Sequence, residues 1–229
     1  MKKKYFVLIL LIIICSLAAI IKINTLPGYI YKHNLQSIVE LKAAFEKYGT
    51  SYGTAVFVRD DGTLITNAHI VIHKTSATEI IADNLSIRFS DSDEYTDVEL
   101  IKYDIEKDLA VLKYKGNEQY KSIKIGKSDK LNYGDKIYAI GNGSNYGLSL
   151  TIGNISNPQI NIEYEGNIRC TIQCDLTIAS GNSGGALLDK YGRIIGITTF
   201  RLKDSSGTPV YGIAYSIPIE EVVRYVNTD

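Results

Sequence analysis

From residue 35 to its end the chain is a succession of short apolar runs cut by Gly, Asp and Asn, and that rhythm leaves little room for anything but strands and turns. Runs over 54–58, 63–66, 85–89, 96–102, 110–114, 136–140, 148–156, 166–174, 186–188, 194–200 and 212–216 have strand length and spacing. Asp60-Asp61-Gly62 and Lys190-Tyr191-Gly192 are hairpin signals, because glycine takes up the positive φ of a tight turn. Many short strands with few long helical patterns point to an all-β barrel or sandwich. Segment 37–48 is ambiguous: Ile38, Leu41 and Phe45 suit a helix, whereas Val39, Leu41 and Ala43 alternate as a strand does. The Gly-Thr-Ser-Tyr-Gly that follows makes a hairpin, so the strand is preferred. After Pro218, residues 219–226 read as a helix with Glu220 and Glu221 in its first turn.

With 45% apolar residues the chain has enough to bury a core, and three cysteines, an odd number, cannot make a disulfide framework. Cys170 and Cys174 share one face of an extended strand, too far apart to bridge without a bend, so they are read as unpaired, buried thiols. Twenty-five Lys+Arg balance 25 Asp+Glu, which offers no footprint for a phosphate backbone and excludes nucleic acid as a partner.

The N-terminus is set apart. Lys2, Lys3 and Lys4 precede an uncharged run from Tyr5 to Ile21, closed by Lys22. Its seventeen residues rise about 25 Å. Residues 1–23 are therefore expected to be a membrane anchor or signal segment, with 24–34 as a connector and the rest of the chain extracytoplasmic by the positive-inside rule. Cleavage after Ser16-Leu17-Ala18, giving a secreted body, and lipidation at Cys15 are alternatives that use the same residues.

Chemistry is carried by three short stretches. Gly181-Asn182-Ser183-Gly184-Gly185 sets a serine in a glycine loop between strands, where successive N–H groups can converge on an oxyanion. A hydroxyl needs a base to act as a nucleophile. Thr66-Asn67-Ala68-His69 supplies a histidine just after a strand, and Asp108-Leu109-Ala110-Val111-Leu112 sets a carboxylate at the head of an apolar run. Asp104, four residues before Asp108, reads as a turn former. His69 and His73 have the spacing of a helical metal pair, but no Glu follows His69 and no third ligand stands out, so no metal and no cofactor is expected.

These motifs, in the order His69, Asp108, Ser183, resemble those of trypsin-like serine proteases of the bacterial HtrA/Deg type. Tyr138-Ala139-Ile140-Gly141-Asn142, Ile195-Gly196-Ile197 and Gly212-Ile213-Ala214-Tyr215-Ser216-Ile217-Pro218 extend the similarity over roughly residues 50 to 226. The resemblance implies an all-β protease domain over 35–229: two six-stranded antiparallel barrels, about 35–127 and 133–217, a terminal helix over 219–226, and the active site in the cleft between barrels. It implies Ser183 as nucleophile, His69 as general base and Asp108 as its orienting carboxylate, with an oxyanion hole in the Gly181, Asn182, Ser183 loop built from the N–H groups of Gly181 and Ser183. Thr177, Thr199, Phe200 and Arg201 fall at substrate-binding positions, and the Thr199 hydroxyl is expected to reach Asp108.

The chain departs from the pattern in places. Ala179-Ser180 stands where many relatives have Asn-Pro, which leaves the oxyanion loop less rigidly preset, and Asn182 stands where the digestive enzymes have an aspartate that pairs with a freed N-terminus. Thr177 carries no charge, so the resemblance implies a small or medium aliphatic residue before the scissile bond rather than Arg or Lys. No PDZ region is expected after the terminal helix. The expected function is a serine endopeptidase acting on extracytoplasmic proteins or peptides in quality control or processing, with homo-oligomerisation implied by the relatives. The alternative is a protease-fold module that holds peptide, chaperone-like, without cutting it.

Overall fold

The computed structural model describes all residues except 1, 25, 77, 165, 202–205, 207, 209 and 229. Two helices open the chain, α1 (Lys2–Asn24) and α2 (Pro27–Asn34). The first half then runs through β1 (Ile38–Phe45), β2 (Gly49–Phe57), β3 (Thr63–Thr66), the one-turn α3 (Ala68–Val71), β4 (Ile72–Lys74), β5 (Glu79–Ile81), β6 (Asn84–Arg88), β7 (Thr96–Asp104) and β8 (Leu109–Tyr114). The second half holds β9 (Lys136–Gly141), β10 (Ser149–Tyr164), β11 (Asn167–Cys174), β12 (Ala186–Leu188), β13 (Ile194–Phe200), β14 (Ala214–Pro218) and α4 (Ile219–Asn227). Two six-stranded antiparallel sheets each close on themselves, in the orders β1-β2-β3-β8-β7-β6 and β10-β11-β14-β13-β12-β9, and β4 and β5 pair apart as a small ribbon.

The period of two along each strand decides which face each side chain meets. In the first barrel, Leu41, Phe57, Leu64, Ile87 and Leu112 fill the interior. In the second, Ile137, Ala139, Leu187 and Ile195 do the same. Their sequence neighbours Ile65, Val111, Tyr138, Ile140, Ala186, Leu188 and Ile194 point the other way and meet in a third cluster between the barrels, joined by Ile219 and Val222 of α4 and Ile30 of α2. Strands at that seam are buried on both faces, which is why 110–114, 136–140, 186–188 and 194–200 read as nearly unbroken apolar runs.

Segment 37–48 is strand: β1 pairs with β2 from Ile38↔Val56 to Phe45↔Gly49, and Gly49 takes φ +86° at the turn. The stretch expected to be a connector is largely helical. Pro27 starts α2, and Ile30, 1% exposed, anchors it in the seam. β10 runs past the expected end at 156 to Tyr164, tolerating Pro158 because register shifts between Ile155 and Ile160 free that backbone from the ladder.

The membrane anchor expected over residues 1–23 is not borne out: among the described residues no helix is long and apolar enough to cross a membrane. The uncharged run of α1 rises about 25 Å, short of a hydrocarbon core of about 30 Å. Phe6, Ile9, Ile12 and Leu17 of this helix stand exposed.

Candidate active site

α3 follows β3 directly, so His69 is presented on a single helical turn whose partners Ala68, Ile70 and Val71 are buried. His73 lies beyond that helix on β4, where it stacks on the Tyr48 ring at 4.4 Å. Asp108 heads β8 with φ +55°, a left-handed conformation that aspartate tolerates better than most residues. Its N–H bonds the Ile105 carbonyl at 3.2 Å, closing a tight turn. Asp104 ends the preceding strand and caps that turn, accepting the Lys107 N–H at 2.8 Å.

The two side chains meet. His69 Nδ1 lies 2.9 Å from both oxygens of Asp108, and the His69 backbone N–H donates to Oδ1 at 3.0 Å. Thr199 Oγ1 donates to Oδ2 at 2.6 Å. Burial pushes the Asp108 pKa up, but the charge and hydrogen bonds of His69, with the Thr199 hydroxyl, outweigh it and hold the carboxyl below the usual aspartate range. Thr199 can reach across because the β13–β14 register shifts between Thr198 and Phe200. That irregularity lets adjacent residues both point inward: Thr198 Oγ1 bonds the Asn182 carbonyl at 2.5 Å while Thr199 bonds Asp108.

The glycine loop 181–185 is pressed against both barrels. Gly181 takes φ +94°, and a Cβ there would stand 2.1 Å from the Asn142 carbonyl; Gly184, at φ +79°, would set one 2.1 Å from the Thr54 carbonyl. Thr54 holds the loop, with its hydroxyl donated to the Gly181 carbonyl at 2.8 Å and its N–H to the Ser183 carbonyl at 2.9 Å. Asn67, fully buried, spans the two halves: its amide donates to the Asp108 carbonyl at 2.9 Å and accepts the Gly184 N–H at 2.6 Å.

The Ser180 carbonyl accepts the Ser144 N–H at 2.6 Å. A trans peptide directs its C=O and N–H oppositely, so the Gly181 N–H is turned away from Ser144. Among the described residues neither Gly181 nor Ser183 spends its N–H inside the protein, whereas the Asn182 N–H is donated to the Ala179 carbonyl at 3.1 Å. Ser183 Oγ donates to the Thr199 carbonyl at 2.8 Å.

His69, Asp108, Ser183, Thr199, Phe200 and Arg201 line one cleft of about 430 Å³, with Ile72, Ile105 and Ile178 as apolar wall. Thr177 stands outside that lining and is exposed. Arg169 of β11, not singled out in the sequence, also lines the cleft, with one guanidinium nitrogen 3.8 Å from Asp108 Oδ2. Thr54, Asn67 and Arg169 gain their roles from contacts far along the chain, and only Asn67 sat inside a recognised motif. Cys170 and Cys174 are unbridged, and burial pushes the Cys174 thiol up to about 12.

A family model described as trypsin-like peptidase domain matches residues 53–197. The serine protease Do-like HtrA of Lactobacillus helveticus is 33% identical over 188 residues, covering 80% of this chain and 43% of the relative. A probable periplasmic serine endoprotease DegP-like of Bartonella henselae is 30% identical over 188 residues, covering 82% of this chain and 35% of the relative. This chain thus spans less than half the length of either. Among solved structures, HtrA-type protease AlgW with tripeptide superposes at a TM-score of 0.74 with 31% identity, over 86% of this chain and 61% of that one. The chain belongs to the trypsin-like peptidase family, among its HtrA-type members.

Proposed function

We propose that this chain is a serine endopeptidase that cleaves proteins or peptides outside the cytoplasm through Ser183, His69 and Asp108. The observation that carries the reading is the His69–Asp108 pair, 2.9 Å at each carboxylate oxygen, in the same cleft as a serine on a loop with two N–H groups unspent among the described residues. Ser183 Oγ leaves the Thr199 carbonyl by rotation about χ1 and attacks the peptide carbonyl, passing its proton to His69 Nε2. Asp108 keeps Nδ1 protonated and stabilises the imidazolium. The oxyanion is met by the N–H groups of Gly181 and Ser183, and the Asn182 N–H stays in the loop as a brace. His69 then protonates the leaving amine, and water repeats the sequence on the acyl-enzyme.

The protease unit is residues 35–229, and the apolar cleft wall suits a small or medium aliphatic side chain before the scissile bond. Export is supported by the triple lysine ahead of an apolar helix, since a secretory signal needs an apolar core of only about 7–15 residues, and by the periplasmic label of the similar Bartonella henselae protein. Homo-oligomerisation is the remaining part of the reading.

The test is cleavage of casein and of short peptides by the purified chain beside Ser183→Ala, with intact-mass analysis after a fluorophosphonate. Cleavage and a single adduct, both absent in the variant, support the reading. A folded protein that binds peptide, cleaves none and takes no adduct would instead be a non-cleaving peptide-holding module.

A further inference from the structure

The least expected side chain in the cleft is Arg169. It sits mid-strand on β11 only 8% exposed, while its neighbour Ile168 is 78% exposed, the reverse of what their polarities favour. A buried guanidinium persists where something compensates its desolvation. Here Nη2 donates to the Ile105 carbonyl at 3.1 Å, Nη1 lies 3.8 Å from Asp108 Oδ2, and the group stands 6.0 Å from the Phe200 ring centroid. The Ile105 carbonyl is the one that accepts the Asp108 N–H, so the arginine grips the turn that sets the left-handed Asp108 backbone.

Charge matters as well as grip. Asp108 Oδ1 takes the His69 backbone N–H, while Oδ2 takes the Thr199 hydroxyl and faces Arg169. The carboxylate therefore has a permanent cation beside it whether or not the imidazole is protonated. Other charges bear on this pair from every side: Lys74 and Arg201 in the cleft, and Glu106, Lys107 and Glu221 around the hollow that Arg169 also lines. Among the described residues Lys74, Lys107 and Arg201 form no ion pair with Asp108, whereas Arg169 does.

We propose that Arg169 is a positioning residue for the reaction, holding the Ile105–Asp108 turn and balancing the Asp108 charge so that His69 is oriented without being kept protonated. This rests on the protease reading. Without the cation the buried carboxylate stabilises imidazolium more strongly, so the base is withdrawn at neutral pH.

The experiment measures the pH profile of kcat/KM for the full chain and for Arg169→Gln, Arg169→Met and Arg169→Lys, with thermal melting of each. Methionine keeps the apolar stem against Phe200 if glutamine does not fold. In the neutral variants the acid limb moves up by roughly one pH unit, a loss of about tenfold at a pH on the limb, and the loss at the alkaline plateau is only a few-fold. Lysine returns the limb to the wild-type position. Superimposed limbs for wild type and a folded neutral variant overturn the proposal, as does a lysine variant displaced as far as the neutral ones. If lysine folds and neither neutral variant does, the arginine is structural and the proposal fails. Absence of any activity or fluorophosphonate adduct in the wild type is a failure of the protease reading instead, and is seen before an arginine variant is made.

Discussion

On the first-barrel side of the cleft, His69 and Asp108 already meet at 2.9 Å, and the carboxylate is further held by a backbone N–H and the Thr199 hydroxyl. On the second-barrel side Ser183 is bonded to the Thr199 carbonyl at 2.8 Å, in the same cleft as the proposed base. The difference follows from what each group costs to bury. A carboxylate sealed between barrels must be compensated at all times, whereas a neutral hydroxyl can satisfy itself on any nearby carbonyl and be released by substrate. One half of the site is therefore set by electrostatics and the other by the backbone of a loop.

The most severe way to break that comparison is to empty each half in turn. Ser183→Ala and Asp108→Asn are each expected to lower kcat/KM by about 10⁴-fold or more, the first by removing the nucleophile and the second by misplacing the imidazole proton. Their stabilities should part. Ser183→Ala loses one neutral hydrogen bond, about 1 kcal/mol, whereas asparagine replaces a charge around which four donors are arranged. Equal melting temperatures for the two variants would mean that the carboxylate half is no more strongly held than the serine half.

Gly181→Ala strikes the loop alone. Its Cβ would stand 2.1 Å from the Asn142 carbonyl at a φ of +94°, so the loop must move and take the Gly181 N–H with it. Losing one oxyanion donor predicts a fall in kcat of about 10²–10³-fold, while the low-field NMR signal of the His69 ring proton shared with Asp108 persists. Disappearance of that signal would mean the two halves are not separable.

Thr199→Val is milder and touches both. The hydroxyl on Asp108 is lost at a site that still has His69 and Arg169, while the Thr199 carbonyl under Ser183 stays. A fall in kcat/KM of about tenfold, or roughly 1.4 kcal/mol, is expected with fluorophosphonate labelling retained. Unchanged activity on a short peptide would make the hydroxyl merely structural.

The same division explains what could be read from the residues. Strands at the seam announced themselves because both faces are apolar, and His69 and Ser183 did because each lies in a local motif whose chemistry is carried by its neighbours. The membrane span failed on length, since a seventeen-residue run signals apolarity well before it guarantees a crossing. α2 was hidden because eight residues with a single buried apolar anchor, Ile30, have no periodicity to show. Arg169 was hidden for a deeper reason: its partners Ile105 and Asp108 lie on another barrel, and nothing within its own strand marks it as buried.

The smallest effect is on stability, and its sign is determined. The folded-state pKa of Asp108 lies below its unfolded value, so its contribution is fully present above about pH 4 and is lost as pH falls through the folded pKa. Across that window the folded state binds fewer protons than the unfolded chain. In the Ser183→Ala background, which removes self-cleavage, denaturant unfolding followed from pH 6 downward should therefore lose stability more steeply than in Ser183→Ala/Asp108→Asn. The difference in slope lies between the two pKa values, is bounded by one proton, about 1.4 kcal/mol per pH unit, and vanishes below both. Parallel curves would mean that Asp108 titrates alike folded and unfolded, that the donors converging on it give it no advantage, and that the contrast between the two halves of the cleft lies only in geometry.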